Sequence, residues 1–310
     1  MTKVAAIDCG TNSIRLLVAD VDQATGSLTD LDRRMTIVRL GQGVDRTGRL
    51  APEALERTFA ACRAYAEVIA AHGVARTRFV ATSASRDASN RDDFVRGVVD
   101  ILGVEPEVIT GDEEAALSFT GATRELAAAE TALVVDIGGG STEFVLGDTR
   151  VRAARSVDIG CVRLTERHLL RDGELTDPPT PEQVAAVRAD IERALDLVAE
   201  TVPLREAATL VGLAGSVTTV GAIALGLTEY DSALIHRSRV PYGRVEQITA
   251  DLLTATHAQR AADPVIHPGR VDVIGVGALI LQTIMERTAA PEVTVSEHDI
   301  LDGIAWSVAG

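Results

Sequence analysis

Short apolar runs alternate with stretches of helical period along the whole chain. Val4–Ile7 reads as a strand that ends at Asp8, and Ile14–Asp20 reads as a second strand after a polar turn. Leu133–Ile137 stops at a turn of three glycines and two hydroxyls, Gly138–Thr142, before the apolar Phe144 and Val145. Arg78–Ala81, Glu107–Thr110, Thr209–Leu213 and Glu292–Val295 are further short strands. Between them lie helices. Pro52–His72 carries Leu55, Phe59, Cys62, Ala66 and Ile69 at spacings of four and three, with Pro52 in the first turn and Gly73 as the stop. Asn90–Leu102 follows, and Gly111 opens another helix. Thr180-Pro181-Glu182-Gln183 is a capping-box pattern leading into the apolar face Val184, Val187, Ile191, Leu195 and Val198. Val271–Met285 and the residues after Asp299 complete the set, while Arg171–Pro179 is a surface loop. Strands alternating with helices throughout imply an α/β protein with layered sheets.

The two polar turns are one pattern used twice. Each has an apolar strand, an Asp-x-Gly corner, a hydroxyl-rich turn and a second strand, about 130 residues apart. A third strand is expected after each, Thr36–Leu40 in the first copy and Arg152–Val157 in the second. Glycine lacks a Cβ, so such turns let backbone N–H groups approach an oxyanion from one side. A tight hairpin turn is the plainer explanation of either copy alone. The same acid at the same corner, Asp8 and Asp136, instead favours a pair that clamps a phosphate chain and its metal. A carboxylate there can hold a divalent cation through water or orient a water molecule.

Other segments leave two readings open. Thr82–Asp87 is either an anion contact through Arg86 or a helix cap beside a solvated arginine. Asp112, Glu113 and Glu114 stand in a first helical turn, where acids ordinarily face the positive end of the helix dipole. One of them can alternatively act as a general base for water. Ala214–Thr219 suits a nucleotide or phosphate, or simply close packing.

Composition narrows the function classes. The 310 residues, 46% hydrophobic and 24% charged, fit a globular protein long enough for two domains. A net charge of −15 argues against a duplex nucleic-acid binder, although a local cationic pocket still admits a polyanionic substrate. Cys9, Cys62 and Cys161 are too few and too scattered for a disulfide framework or a zinc site, which fits a reducing, cytoplasmic setting. No secretory leader is evident, and no apolar run approaches the ~18 residues of a membrane span.

An ordered set of motifs carries a resemblance: Asp8-Cys9-Gly10-Thr11-Asn12-Ser13-Ile14-Arg15-Leu16, Ala81–Ala84 with Arg86, Gly111-Asp112-Glu113-Glu114-Ala115 and Asp136–Glu143. It continues through Gly160–Glu166, Ala214–Thr219, His267–Asp272 and Ser296–Gly303. The set resembles the exopolyphosphatase / guanosine pentaphosphate phosphohydrolase family of the actin, Hsp70 and sugar-kinase superfamily. The resemblance implies two duplicated ribonuclease-H-like domains with an active-site cleft between them. The expected boundaries are residues 1–123, joined by the last helix at 297–310, and residues 124–296. It implies hydrolysis of terminal phosphoanhydride bonds of polyphosphate or guanosine pentaphosphate with Mg2+, no nucleic-acid or membrane partner, and a homodimer.

By motif position the resemblance places the catalytic base on Glu114 and the metal positions on Asp8 and Asp136. It puts phosphate contacts on Gly10, Thr11, Asn12, Ser13, Arg15, Arg86, Gly138, Gly139, Gly140, Ser141, Thr142 and Glu143. The chemistry asked of such a site is positioning, charge neutralisation and an in-line water. Larger family members carry additional C-terminal helical domains that this sequence lacks, so a preference for short chains is expected. Two rivals remain: an ATP-dependent kinase of the same superfamily, for which no acceptor motif stands out, and a non-catalytic phosphate or nucleotide sensor.

Overall fold

Strands β1 (Thr2–Cys9), β2 (Ser13–Asp22) and β3 (Ser27–Ile37) form an antiparallel meander in the computed structural model, which describes residues 1–124 and 130–309. The short helix α1 (Val44–Thr47) and the long α2 (Pro52–His72) lead to β4 (Arg76–Ala81), which runs parallel to β1. After α3 (Ser83–Asp87) and α4 (Arg91–Leu102), β5 (Glu107–Val108) pairs in parallel with β4, giving the order β3-β2-β1-β4-β5. α5 (Gly111–Thr123) follows.

Strand alternation sorts the side chains of β1 between two cores. Ala5, Ile7 and Cys9 pack with Cys62 and Tyr65 of α2 and Phe94 of α4, whereas Val4 and Ala6 join Leu117 of α5. Burial on both faces explains why β1 is apolar from Val4 to Ile7.

The second unit repeats the layout. β6 (Ala132–Ile137), β7 (Thr142–Gly147) and β8 (Val151–Val157) form its meander. Next come α6 (Cys161–Leu169), a small hairpin of β9 (Leu170–Arg171) and β10 (Glu174–Leu175), and α7 (Pro181–Ala199). β11 (Thr209–Leu213) lies parallel to β6, and α8 (Ala214–Ala224) and α9 (Ser232–Ile235) lead to the edge strand β12 (Arg239–Pro241). α10 (Tyr242–Thr254), α11 (His257–Ala261) and α12 (Ile274–Thr288) precede β13 (Glu292–Val295), so the sheet order is β12-β13-β11-β6-β7-β8. Apart from the extra edge strand this is the order of the first sheet. α13 (Ile300–Val308) closes the chain and places Ile300, Leu301 and Ile304 in the core that holds Val4 and Ala6. The two compact units are thus Met1–Arg124 with Asp299–Gly310, and Glu125–His298. Among the described residues, no helix is long and apolar enough to cross a membrane.

Three expectations need correction. The strand expected at Thr36–Leu40 lies earlier, at Ser27–Ile37. It is a sheet edge carrying Asp30, Asp32, Arg33 and Arg34 among its apolar residues, and Val38 and Leu40, which drew the expectation later, are buried just beyond it. The fully buried face of α2 is Ala54, Thr58, Ala61, Cys62, Tyr65 and Val68; of the expected set, Cys62 is fully buried and Leu55, Phe59 and Ile69 pack partly buried along its side. Tyr65 turns that face inward by donating its hydroxyl to the Ile14 carbonyl at 3.0 Å, and Phe59 instead covers Gly97 of α4. The helix expected from Val271 starts at Ile274, after a 3-10 turn at Pro268–Arg270.

Candidate active site

The first turn, Gly10–Ser13, is shaped by where its carbonyls go. The N–H of Gly10 donates across the turn to the Ser13 carbonyl at 3.0 Å. The segment after β3 supplies the rest: Val38 and Arg39 donate to the Asn12 carbonyl at 3.0 and 2.8 Å, and Gly41 donates to that of Thr11 at 2.8 Å. The oxygens are thereby held away from the turn's open side. Among the described residues, no acceptor takes the N–H groups of Thr11 and Asn12, which lie outside the strands. Successive N–H groups of this kind form a concavity for an anion.

The second turn is built the same way. Gly138 donates to the Ser141 carbonyl at 3.0 Å, the counterpart of the Gly10 bond. Here the backing is the first turn of α6. Cys161 donates to the Gly138 carbonyl at 3.0 Å, and Val162 and Arg163 donate to that of Gly139 at 2.9 and 3.0 Å. Nε of Arg163 donates to the Gly140 carbonyl at 2.7 Å. A helix N-terminus has N–H groups without intrahelical partners, and the loop carbonyls satisfy them. The N–H groups of Gly139 and Gly140 find no acceptor among the described residues. Gly160 makes this approach possible, because a Cβ there would lie within 2.5 Å of the Gly140 nitrogen.

At each corner an acid stands at the end of a buried strand: Asp8 is 4% exposed and Asp136 7%. Their cross-strand partners differ. Asp8 faces Arg15, whose Nε and Nη2 donate to Asp8 Oδ2 at 3.0 and 2.6 Å. Asp136 faces Glu143, which is 1% exposed and accepts from the Ser156 hydroxyl at 2.7 Å. Burial raises the Asp8 pKa above the usual carboxylate value, opposed by Arg15 and assisted by the nearby Asp299 charge.

Several expected contacts therefore have defined protein partners. Arg15 also donates through Nη1 to Asp299 Oδ2. Thr142 lies at the start of β7 and donates its hydroxyl to the Ile159 carbonyl at 2.5 Å. Arg86 is not simply solvated: its Nη1 donates to the Ile109 carbonyl at 2.8 Å and to Glu114 Oε2 at 3.2 Å. It rides on α3, which begins beside the first turn, where the Thr82 N–H donates to the Cys9 carbonyl at 3.2 Å. The three acids opening α5 separate clearly. Glu113 reaches Arg78 at the surface, whereas Glu114 is 8% exposed and bonded to Arg86. In the second unit, the guanidinium of Arg270 lies against Gly215 at the start of α8, where a side chain at that position would be.

A profile of the Ppx/GppA phosphatase family matches residues 17–309. The chain belongs to the Ppx/GppA phosphatase family. Exopolyphosphatase 2 of Mycobacterium tuberculosis is 52% identical to it, over 100% of this chain and 99% of that protein. The crystal structure of an exopolyphosphatase-like protein, 43% identical, matches with a TM-score of 0.92 over 98% of both chains. The family member from Aquifex aeolicus, 30% identical, matches with a TM-score of 0.80 over 99% of this chain and 97% of its own. The two sheets are the duplicated ribonuclease-H-like domains of that architecture, as the motifs implied.

Among the described residues, no group of three or more His, Cys, Asp or Glu side chains is arranged to hold a metal ion. Mg2+ asks for less: one or two carboxylates, several waters and the substrate's own phosphates. Asp136 and Glu143 fit that requirement. They are buried carboxylates directly opposite in register, where like charges repel and a cation relieves the repulsion. Asp8 fits less directly, since both Arg15 bonds converge on its Oδ2 and leave Oδ1 to meet a metal-bound water.

Reading the sequence missed the backing groups. Val38–Gly41 and the main-chain donors of Cys161–Arg163 bind the turns without chemically distinctive side chains, Arg163 excepted. The available signal was a glycine following each third strand, Gly41 and Gly160, where a Cβ would strike the turn behind which it lies.

Proposed function

We propose that this chain is an exopolyphosphatase, hydrolysing terminal phosphoanhydride bonds of inorganic polyphosphate to release orthophosphate. The observation that carries the reading is the pair of turns in which the carbonyls of Thr11–Ser13 and Gly138–Ser141 are bonded away while adjacent N–H groups stay open. Such donors suit phosphate oxygens and leave little for a sugar ring or a peptide to recognise. The 52% identity to a protein named exopolyphosphatase 2 supports the substrate class.

In this reading Gly10–Ser13 and Gly138–Ser141 hold phosphate oxygens through N–H and hydroxyl donors. Asp8 and Asp136, with Glu143 beside the latter, are the groups that would hold Mg2+. When bound, the metal neutralises charge on the phosphate oxygens. Arg86 fixes the carboxylate of Glu114, and Glu114 takes the proton from the attacking water. The water oxygen bonds to the terminal phosphorus as the bridging P–O bond breaks, and the shortened chain leaves as the anion. Arg15 orients Asp8.

The test is phosphate release by wild type and Glu114→Gln, with tripolyphosphate, long polyphosphate and guanosine pentaphosphate side by side. Gln keeps the shape but cannot accept the proton, so kcat is expected to fall by about 10²- to 10⁴-fold with KM little changed. Wild-type turnover in Glu114→Gln would move the base elsewhere. A clear preference for guanosine pentaphosphate would reassign the substrate.

A further inference from the structure

Arg15 stands where a phosphate contact is expected, yet it is gripped on two edges by carboxylates. Nε and Nη2 lie on Asp8, and Nη1 lies on Asp299 at the start of α13. A planar guanidinium held this way by two fixed anions is restrained from rotating. Asp299 is itself well fixed. It is 5% exposed and is the N-cap of α13, its Oδ1 accepting from the Leu301 N–H at 2.9 Å. Its own N–H donates to Asp302 Oδ2 at 2.9 Å, and Asp302 Oδ1 accepts from Arg33 Nη2 at 2.5 Å. The carbonyl of Asp299 occupies the space where a side chain at Gly121 would be. Gly121 lies two turns beyond Glu114 on the same face of α5. One residue therefore touches both the Asp8 side of the first unit and the helix that carries Glu114.

We infer that Asp299 is a positioning residue for the phosphoanhydride hydrolysis proposed above, acting through Arg15. It holds Arg15 on Asp8, so that Asp8 keeps one orientation and the guanidinium is not drawn to the incoming phosphates. It also leaves the trio Asp8, Arg15 and Asp299 with one net negative charge, which favours a cation beside Asp8. The inference rests on the phosphatase reading, and wild-type phosphate release establishes that reading independently.

Asp299→Asn separates this role from simple support of the fold, because Asn caps a helix about as well as Asp while lacking the charge. The expected result is a kcat about 10- to 100-fold lower, since a small misplacement of a reacting group is costly. KM for tripolyphosphate should not rise, because removing a negative charge does not repel a polyanion. Mn2+ binding, followed directly by electron paramagnetic resonance without substrate, should weaken about three- to tenfold, as loss of one nearby charge implies. The control is Ser307→Ala, which removes the Arg78 Nη1 bond to the Ser307 hydroxyl at the far end of α13 and lowers the melting temperature while sparing Asp299, Asp302 and Arg15. Its kcat should stay within about twofold of wild type, a margin worth under 0.5 kcal/mol. A kcat and Mn2+ affinity for Asp299→Asn within twofold of wild type would overturn the inference. So would an equal loss of kcat in Ser307→Ala, which would reduce the effect to general loosening of α13. An inactive wild type would instead remove the phosphatase reading itself.

Discussion

Replacing Gly160 by alanine tests whether the glycine turns are positioned by what lies behind them. Gly160 has an extended backbone, φ −142° and ψ 159°, which alanine adopts without strain. Any effect must therefore come from the added methyl. That methyl would lie within 2.5 Å of the Gly140 nitrogen and closer still to the Gly139 carbonyl. Ordinary Cβ contacts begin near 3.4 Å, so loop and helix must separate by about 1 Å, and both sides are backbone. The bonds from Cys161, Val162 and Arg163 to the loop carbonyls are 2.9 to 3.0 Å long and would lengthen past a useful hydrogen bond.

Two magnitudes follow. Overpacking of this kind costs about 1–3 kcal/mol, which lowers the melting temperature by several degrees without unfolding the protein. A shift of about 1 Å in groups that position a substrate costs on the order of 100-fold in kcat/KM. The assay is steady-state phosphate release from tripolyphosphate, with circular dichroism confirming the fold. Gly10→Ala is the steric comparison, since its Cβ would meet Ser13 O at 3.6 Å and Thr82 Oγ1 at 4.0 Å, both ordinary contacts. Its melting temperature should match wild type. If Gly160→Ala kept kcat/KM within about threefold with a lowered melting temperature, the loop would tolerate displacement, and backing from α6 would not be what sets its function.

Other perturbations probe the scaffold. Gly303→Ala would push a methyl into the Leu117 carbonyl of α5, separating α13 from α5, with an expected loss of about 1–3 kcal/mol in denaturant melts. Asp177 is held below the usual carboxylate range: burial alone would raise it, but the His257 N–H and the Arg260 guanidinium outweigh burial. A depressed folded-state pKa contributes stability above the unfolded value of about 4 that is lost as pH falls through the folded value. Asp177→Asn should therefore melt a few degrees below wild type at pH 7, with the gap closing below about pH 4 in pH-stepped thermal melts.

Local chemistry was legible in the sequence where the signal and the structure share the same few residues. The Thr180 capping box forms as written, Thr180 and Gln183 exchanging both bonds. Gly73 ends α2 in the left-handed conformation its position suggested. The two Asp-x-Gly corners form the same turn, closed by the same N–H to carbonyl bond. What stayed hidden depends on partners far away in the chain. Asp299 lies 284 positions from Arg15, and no local spacing announces that contact. Glu114 came from family resemblance alone, because three acids in a first helical turn have an ordinary explanation in the helix dipole. Only tertiary burial beside Arg86 sets it apart from Asp112 and Glu113. The third strand of the first meander was placed too late for the opposite reason: its exposed edge carries charge where a buried strand would carry apolar residues.

The duplicated turns also differ in a way that bears on the chemistry. Both copies keep the acid, the glycine, the closing bond and a backing glycine, so the scaffold for an anion is the same. At the position opposite the acid they diverge in charge, Arg15 in one copy and Glu143 in the other. In the first copy the protein supplies the cation that a buried carboxylate requires. In the second, two buried carboxylates face each other, and the compensating charge must come from protons, protein donors such as Ser156, or a bound cation. In the function proposed above, a phosphate chain would bring more negative charge to that place, and Mg2+ would then serve substrate and protein together. The same turn thus sets its acid opposite a cation in one copy and opposite a second acid in the other, and the difference lies in one residue rather than in the fold.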